Sequence, residues 1–206
     1  MIRMRLTVML ALIALVTFAA NASAQRVSRT KGFHIALGLN ASAIQLDEDD
    51  VGEDTDAENG GGLYLTTGYN FTPRIGAFLA LTGARIDAEN VGDDYNLGHA
   101  DLGARFMLAT GSIAPYLELA LTGLNARGED DQGRDIELRG GGLTLGIGSN
   151  FFVSQRFAID LGLRLTGGEF NTVKFGDISI SNDDGVGVGT ARLNLGVAFY
   201  PSAGRR

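Results

Sequence analysis

The chain has 206 residues, with 30 glycines, 3 prolines, no cysteine and a formal net charge of −7. The length suits one domain with a sizeable core. The acidic balance argues against a nucleic-acid partner, and the lack of cysteine excludes a disulfide framework.

The N-terminus predicts a secretory signal peptide over residues 1–24. Arg3 and Arg5 precede an apolar run over 6–20, and residues 22–24 read Ala-Ser-Ala, which fits a signal-peptidase site. The run is shorter than the ~20 residues of a spanning helix, which disfavours a transmembrane anchor. Two of the 17 basic residues lie in this segment, so the predicted domain, residues 25–206, keeps 15 basic and 24 acidic residues, a formal charge of −9.

The rest of the chain alternates apolar and polar residues with the period of two that marks β-strands. In the last predicted strand, Leu193, Leu195 and Val197 share one face and Arg192 lies on the other. The same pattern predicts eight strands, over 33–44, 62–71, 75–85, 97–108, 115–125, 141–151, 157–166 and 189–200. The predicted fold class is therefore all-β.

The predicted connections alternate between short turns and long loops. Three short turns contain no acidic residue, whereas the first long loop holds eight Asp and Glu and no Lys or Arg. The four long loops are predicted over 47–59, 87–96, 126–139 and 167–186, the last with room for a hairpin of its own. Short turns on one side and long loops on the other are typical of a transmembrane barrel.

Aromatic residues cluster near the short turns and are interpreted as a membrane-interface girdle. They are Phe33, Tyr69, Phe71, Phe106, Tyr116, Phe151, Phe157, Phe199 and Tyr200. A Leu-x-Leu-Thr-Gly repeat at 79–83, 119–123 and 163–167 indicates three hairpins flanked by the first and last strands. Those two strands are expected to pair, which closes the sheet and removes its edges.

The apolar face of each strand is expected to meet lipid, and the other face to line a narrow lumen. A soluble barrel or sandwich also alternates, but its polar face would carry more Lys, Glu and Gln. Here that face is mostly Gly, Ala, Thr and Asn, which suits an eight-stranded lumen.

Six single charges interrupt the small-residue face, and they are the candidate luminal network. They are Asp101, Arg105, Glu118, Asp160, Arg164 and Arg192. A tight turn after the fourth strand would place Arg105 opposite Glu118, and cross-strand opposite charges stabilise a sheet. The network is interpreted as a structural plug, with a gated narrow pore as the alternative.

Together these features resemble the small eight-stranded outer-membrane barrels of the OmpA/OmpX type. The resemblance spans nearly the whole predicted mature chain and implies an eight-stranded antiparallel up-and-down transmembrane β-barrel in the outer membrane of a Gram-negative bacterium. Asn194, Gly196 and Phe199 match the C-terminal assembly signal of such barrels, while Pro201 stands where a final aromatic is expected.

Two further patterns in the sequence bear on metal binding and catalysis. Asp47, Asp49 and Glu58 have spacing similar to an EF-hand loop, but Val51 occupies a ligand position, so we expect no dedicated metal or cofactor site. The acidic loops are interpreted as solvated loops, with loose binding of divalent cations that bridge lipid phosphates as the alternative.

The second pattern concerns catalysis by a lipid A-modifying barrel enzyme, which needs a nucleophile beside a histidine base. His34 and His99 both face inward, and Ser42 is expected near His99 at the same rim. We predict a non-enzymatic structural or surface-interaction barrel in contact with outer-membrane lipid and lipopolysaccharide, with acidic extracellular loops. A small-solute pore and a lipid-modifying enzyme are the alternatives, and the extracellular partner is open.

Overall fold

The computed structural model describes residues 30–46, 57–87, 94–129, 134–175 and 178–202. The predicted signal peptide and the candidate ligands Asp47 and Asp49 lie outside these ranges. The described residues contain no helix with the length and apolar character needed to cross a membrane.

Eight antiparallel strands form one closed barrel in which each strand pairs with the next along the chain. The strands are β1 (Gly32–Leu46), β2 (Glu58–Asn70), β3 (Ile75–Asp87), β4 (Tyr95–Met107), β5 (Ile113–Glu129), β6 (Asp135–Phe152), β7 (Phe157–Phe175) and β8 (Ile178–Phe199). β1 also pairs with β8, so no sheet edge remains among the described strands. The predicted fold class, strand number and closure are confirmed.

The third and fourth predicted loops are wrong in extent. β5 runs on to Glu129 and β6 starts at Asp135, while β7 and β8 leave only residues 176–177 between them. The sequence pattern fades there because the outward face turns polar, yet the inward face stays apolar, with Ala126 and Phe170 buried. Backbone pairing therefore continues beyond the aliphatic surface.

The outward face of the barrel carries an exposed aliphatic belt. Leu121, Leu145 and Val197 expose 67%, 64% and 55% of their surface. On β7 the belt runs from Phe157 to Leu165, which is close to the about 9–11 tilted residues needed to cross a bilayer. Exposed aliphatic side chains on every strand suit contact with lipid and would be unfavourable in water.

The barrel has a short-turn end and a long-hairpin end. The short-turn end holds residues 71–74, 108–112 and 153–156, and the chain returns through longer hairpins at the other end. In two of the short turns a hydroxyl accepts hydrogen bonds from the backbone: Thr72 from Arg74 and Ile75 N–H, and Ser154 from the N–H groups two and three residues on. These side-chain bonds fix the tight reversals.

The predicted aromatic girdle is correct only in part. Phe71 and Phe157 are exposed on the outer surface near the short turns. Tyr116 and Tyr200 instead point into the lumen, with 2% and 0% of their surface exposed. Tyr116 lies two residues before Glu118 on β5, so both side chains point to the same, inward face. Tyr200 stacks on His34 with ring centroids 5.3 Å apart.

Candidate functional site

The six predicted luminal charges all lie inside the barrel and are buried. They are Asp101 and Arg105 on β4, Glu118 on β5, Asp160 and Arg164 on β7, and Arg192 on β8. None exposes more than 3% of its surface. Because a buried charge is costly unless it is paired, their contacts determine whether the barrel is stable.

Glu118 lies at the centre of the first group of contacts. The register of β4 and β5 places it directly opposite Arg105, as expected from the predicted turn. Arg105 donates to Glu118 Oε1 from Nε at 2.8 Å and from a terminal nitrogen at 2.6 Å. Arg164 donates from Nε to Glu118 Oε2 at 2.8 Å. One carboxylate thus binds two guanidinium groups from opposite sides.

Asp101 lies at the centre of the second group. Arg192 donates to both of its oxygens, at 2.8 and 3.1 Å, in the paired geometry that arginine favours with carboxylates. Thr122 donates a third hydrogen bond at 2.7 Å. A terminal nitrogen of Arg164 lies 3.8 Å from Asp101 Oδ2 and connects the two groups. The result is a continuous luminal network from Arg105 to Arg192.

Asp160 has a different environment. Tyr64 and Tyr116 each donate a hydroxyl to one of its oxygens, both at 2.9 Å. The residue opposite each tyrosine on the neighbouring strand is a glycine, Gly38 for Tyr64 and Gly148 for Tyr116. A Cβ at Gly148 would overlap the Tyr116 ring, so the missing side chain is what lets the phenol reach Asp160.

These tyrosine hydrogen bonds were missed in the sequence reasoning. An inward tyrosine beside an inward glycine was the available signal, because an aromatic ring can lie over the glycine of a neighbouring strand. The partner carboxylate lies on a strand that adjoins neither Tyr64 nor Tyr116, and no local pattern marks such a contact.

Apolar layers lie on both sides of the luminal network. Toward the short-turn end, buried side chains including Met107, Tyr116, Phe152 and Tyr200 form one cluster. Toward the long-hairpin end, the cluster is mainly aliphatic, with Ile44, Ile86, Leu97, Leu124, Phe170 and Val188 among its members. The charges therefore lie between two apolar layers.

Ser42 and His99 are engaged with other groups. Ser42 donates to Asn40 Oδ1 at 2.6 Å, and His99 Nε2 lies 3.1 Å from the Thr190 hydroxyl. His34 Nε2 lies 3.4 Å from a terminal nitrogen of Arg105. The hydrogen bonds of these side chains do not assemble a nucleophile–base pair of Ser42 and His99.

The candidate metal ligand Glu58 begins β2 and accepts a hydrogen bond from the Tyr95 hydroxyl at 2.7 Å. Within the part of the chain that the structure describes, no three acidic or histidine side chains are grouped to hold a metal ion.

Beyond the aliphatic belt, Glu137 joins the outward faces of β5 and β6. It accepts hydrogen bonds from Arg139 Nε at 2.8 Å and from Arg127 at 3.0 Å, and also from the Asn125 amide. The bonds from Arg139 first, then those from Asn125 and Arg127, outweigh desolvation and lower the pKa of Glu137 to about 2. We call this group the Glu137 clasp.

Comparison with known proteins points to a single family. No curated protein sequence is significantly similar to the chain. Neisserial surface protein A has a similar structure, with a TM-score of 0.61 and 17% identity over 85% of this chain and 99% of that one. Ail of Yersinia pestis has a TM-score of 0.53 and 21% identity over 82% of this chain and 99% of its own.

OprG of Pseudomonas aeruginosa, an outer membrane protein, has a TM-score of 0.54 and 17% identity over 82% of this chain and 96% of that one. At these identities the structures show a shared fold. The family model described as "Outer membrane protein beta-barrel domain" matches residues 10–199. With the closed eight-stranded sheet and its aliphatic belt, the match shows that this chain belongs to the outer membrane protein β-barrel family.

Proposed function

We propose that this protein is a non-enzymatic surface-interaction barrel whose lumen is plugged. The observation that carries the proposal is the arrangement inside the barrel. The luminal network from Arg105 to Arg192 is ion-paired and buried, and an apolar layer covers it at each end. A hydrated solute would have to displace both the apolar side chains and the ion pairs.

We further propose that the short-turn end faces the periplasm and the long-hairpin end faces the exterior. Long outer loops and short periplasmic turns are the usual arrangement in such barrels. The segment 47–57, between β1 and β2, would then present seven acidic residues outward. Divalent cations or positively charged groups are the partners that such loops attract. Ail of Yersinia pestis was crystallised with the heparin analogue sucrose octasulfate, a precedent for ligand binding by a barrel of this fold.

The test is single-channel recording of the refolded chain in a planar bilayer, with insertion verified by protease protection. We expect no discrete conductance from the parent protein. Arg105→Ala should also show no discrete conductance, because the apolar layers on both sides of Arg105 remain. A wide porin added to the same bilayer is the positive control. Discrete openings in the parent, or openings created by Arg105→Ala, would overturn the plug and favour a gated narrow pore.

A further inference from the structure

The outward face of β2–β6 changes in three steps at the upper border of the aliphatic belt. One row of cross-strand neighbours ends the belt: Leu65, Leu81, Ala100, Gly123 and Gly141. The next row, toward the long hairpins, is Leu63, Gly83, Gly98, Asn125 and Arg139. The third is Gly61, Arg85, Asn96, Arg127 and Glu137. Toward the long hairpins the wall thus loses its aliphatic side chains on β3 and β4, where Gly83 and Gly98 follow Leu81 and Ala100, and gains arginine, asparagine and Glu137.

The glycines of the middle row create a groove in the outer wall. It has a volume of about 650 Å³, and its lining includes Leu65 and Leu81 together with Asn125 and Arg139. A second recess continues it toward Arg85 and Arg127. The groove therefore joins an apolar floor to guanidinium groups.

Packing does not require glycine at these outward positions. A Cβ built on Gly83 meets no atom within 4 Å, and one on Gly98 meets only Asn125, at ordinary contact distances of 3.6 and 3.9 Å. The inward Gly62 differs, because its Cβ would collide with the backbone of β3. A strand glycine that fold packing does not demand is typical of a place where a ligand approaches the backbone.

Three arginines border this groove and are held in place. Arg127 and Arg139 both bind Glu137, and Arg85 Nε donates to Asp94 at 3.1 Å. Their side chains still expose 63%, 46% and 69% of their surface. Terminal guanidinium nitrogens that these bonds do not use can therefore meet an external anion in a pre-organised geometry.

The opposite side of the barrel has no matching arginine cluster among its described outward residues. The register continues the middle and third rows onto β7 as Thr172 and Lys174, and onto β1 as Leu39 and Ala41. Lys174 thus extends the cationic row by one strand, and no arginine follows at these positions on β7 or β1. The arginine cluster therefore lies on one side of the barrel, on β3, β5 and β6.

We propose that the β2–β6 groove binds a phosphorylated, multi-acyl lipid of the outer leaflet. An acyl chain would lie against Leu65, Leu81 and the glycine floor. A phosphate would bind Arg85, Arg127 and Arg139, since arginine forms paired hydrogen bonds with phosphate. The border of the belt is where lipid headgroups meet the protein, so apolar and anionic parts are presented at the correct heights. The proposal rests on the orientation proposed above.

The test is native mass spectrometry of the full refolded chain in detergent. The probes are bisphosphorylated lipid A and the same lipid with both phosphates removed. We expect a one-lipid adduct with the first probe and at least tenfold weaker binding of the second. Replacing Arg85, Arg127 and Arg139 together by Gln should weaken binding of the first probe by at least tenfold. Circular dichroism confirms that each variant keeps its strands.

Gly83→Leu fills the groove and should weaken binding, whereas Gly167→Leu, on the opposite side, is the matched control. A Cβ at either glycine meets no atom within 4 Å, so both variants should fold. Equal binding of both probes, or equal effects of the two leucine variants, would overturn the proposal. A protein dimer that Gly83→Leu abolishes, without a lipid adduct, would instead show that a second copy occupies the groove. Thiol labelling of intact cells reads the orientation separately, so the two failures are distinguishable.

Discussion

At the scale of single residues, the luminal network depends on one carboxylate that binds two arginines. Glu118 accepts hydrogen bonds from Arg105 and Arg164, so loss of either arginine leaves the carboxylate with a partner. If the cross-strand pair were its only contact, removal of Arg105 would leave Glu118 unpaired. The second arginine changes that expectation, because Arg164 comes from β7, which is not a neighbour of β5 in the sheet.

We therefore predict that Glu118→Ala destabilises the barrel more than Arg105→Ala. Removing Glu118 leaves two buried guanidinium groups without their shared carboxylate, a loss of about 3–5 kcal/mol for a broken buried pair. The measurement is urea unfolding of the refolded variants in lipid vesicles. Leu119→Ala, which alters the exposed neighbour of Glu118, serves as the control. A larger loss for Arg105→Ala, or an unchanged midpoint for Glu118→Ala, would contradict the shared pairing.

At the scale of elements, the strands extend past the belt because their inward side chains still have a core to join. Leu124 and Ala126 of β5 belong to the aliphatic cluster at the long-hairpin end, with Leu138 packed against it. Outside lipid, nothing requires an apolar outward face. Strand alternation therefore weakens in the sequence while backbone pairing persists.

The belt and the inward charges could be predicted from the sequence, since successive side chains of a strand point to opposite faces of the sheet. The pairing of Arg105 with Glu118 could be predicted from the length of the turn between β4 and β5. The contacts of Arg164 with Glu118 and of Arg192 with Asp101 join strands that are not neighbours, and the partners depend on barrel diameter and strand tilt. Diameter and tilt are properties of the closed barrel, so the alternation of residues along each strand could not identify these partners.

The Glu137 clasp predicts a pH response of the β5–β6 hairpin. The bonds from Arg139 and its neighbours lower the pKa of Glu137 to about 2, below the about 4.3 expected when unfolded. The clasp should be fully formed above pH ~4.3 and lost as pH falls through about 2. A carboxyl-carbon NMR titration should give a midpoint near 2.

Arg139→Gln should move that midpoint upward, because the largest stabilising contact to the carboxylate is lost. Arg74→Gln, at the short-turn end, should leave it unchanged. A parent midpoint close to the ordinary glutamate value would refute the clasp.

At the scale of the whole molecule, orientation can be read directly, because the chain has no cysteine. We predict that Asp135→Cys, at the start of β6, reacts with a membrane-impermeant maleimide on intact cells. Val153→Cys, in a short turn and 70% exposed, should react only after the envelope is opened. The opposite labelling pattern would place the long hairpins in the periplasm.

The pairing of β1 with β8 also constrains how the molecule assembles. Asn40 donates a buried hydrogen bond to Asn194 across this junction, at 2.8 Å and 154 residues apart in the chain. Contacts between such distant segments slow folding, because a long loop must close before they form. Until β8 is in place, the strands form an open sheet with two unpaired edges that can recruit other chains. The period before closure is therefore when a chaperone would need to shield the chain from aggregation.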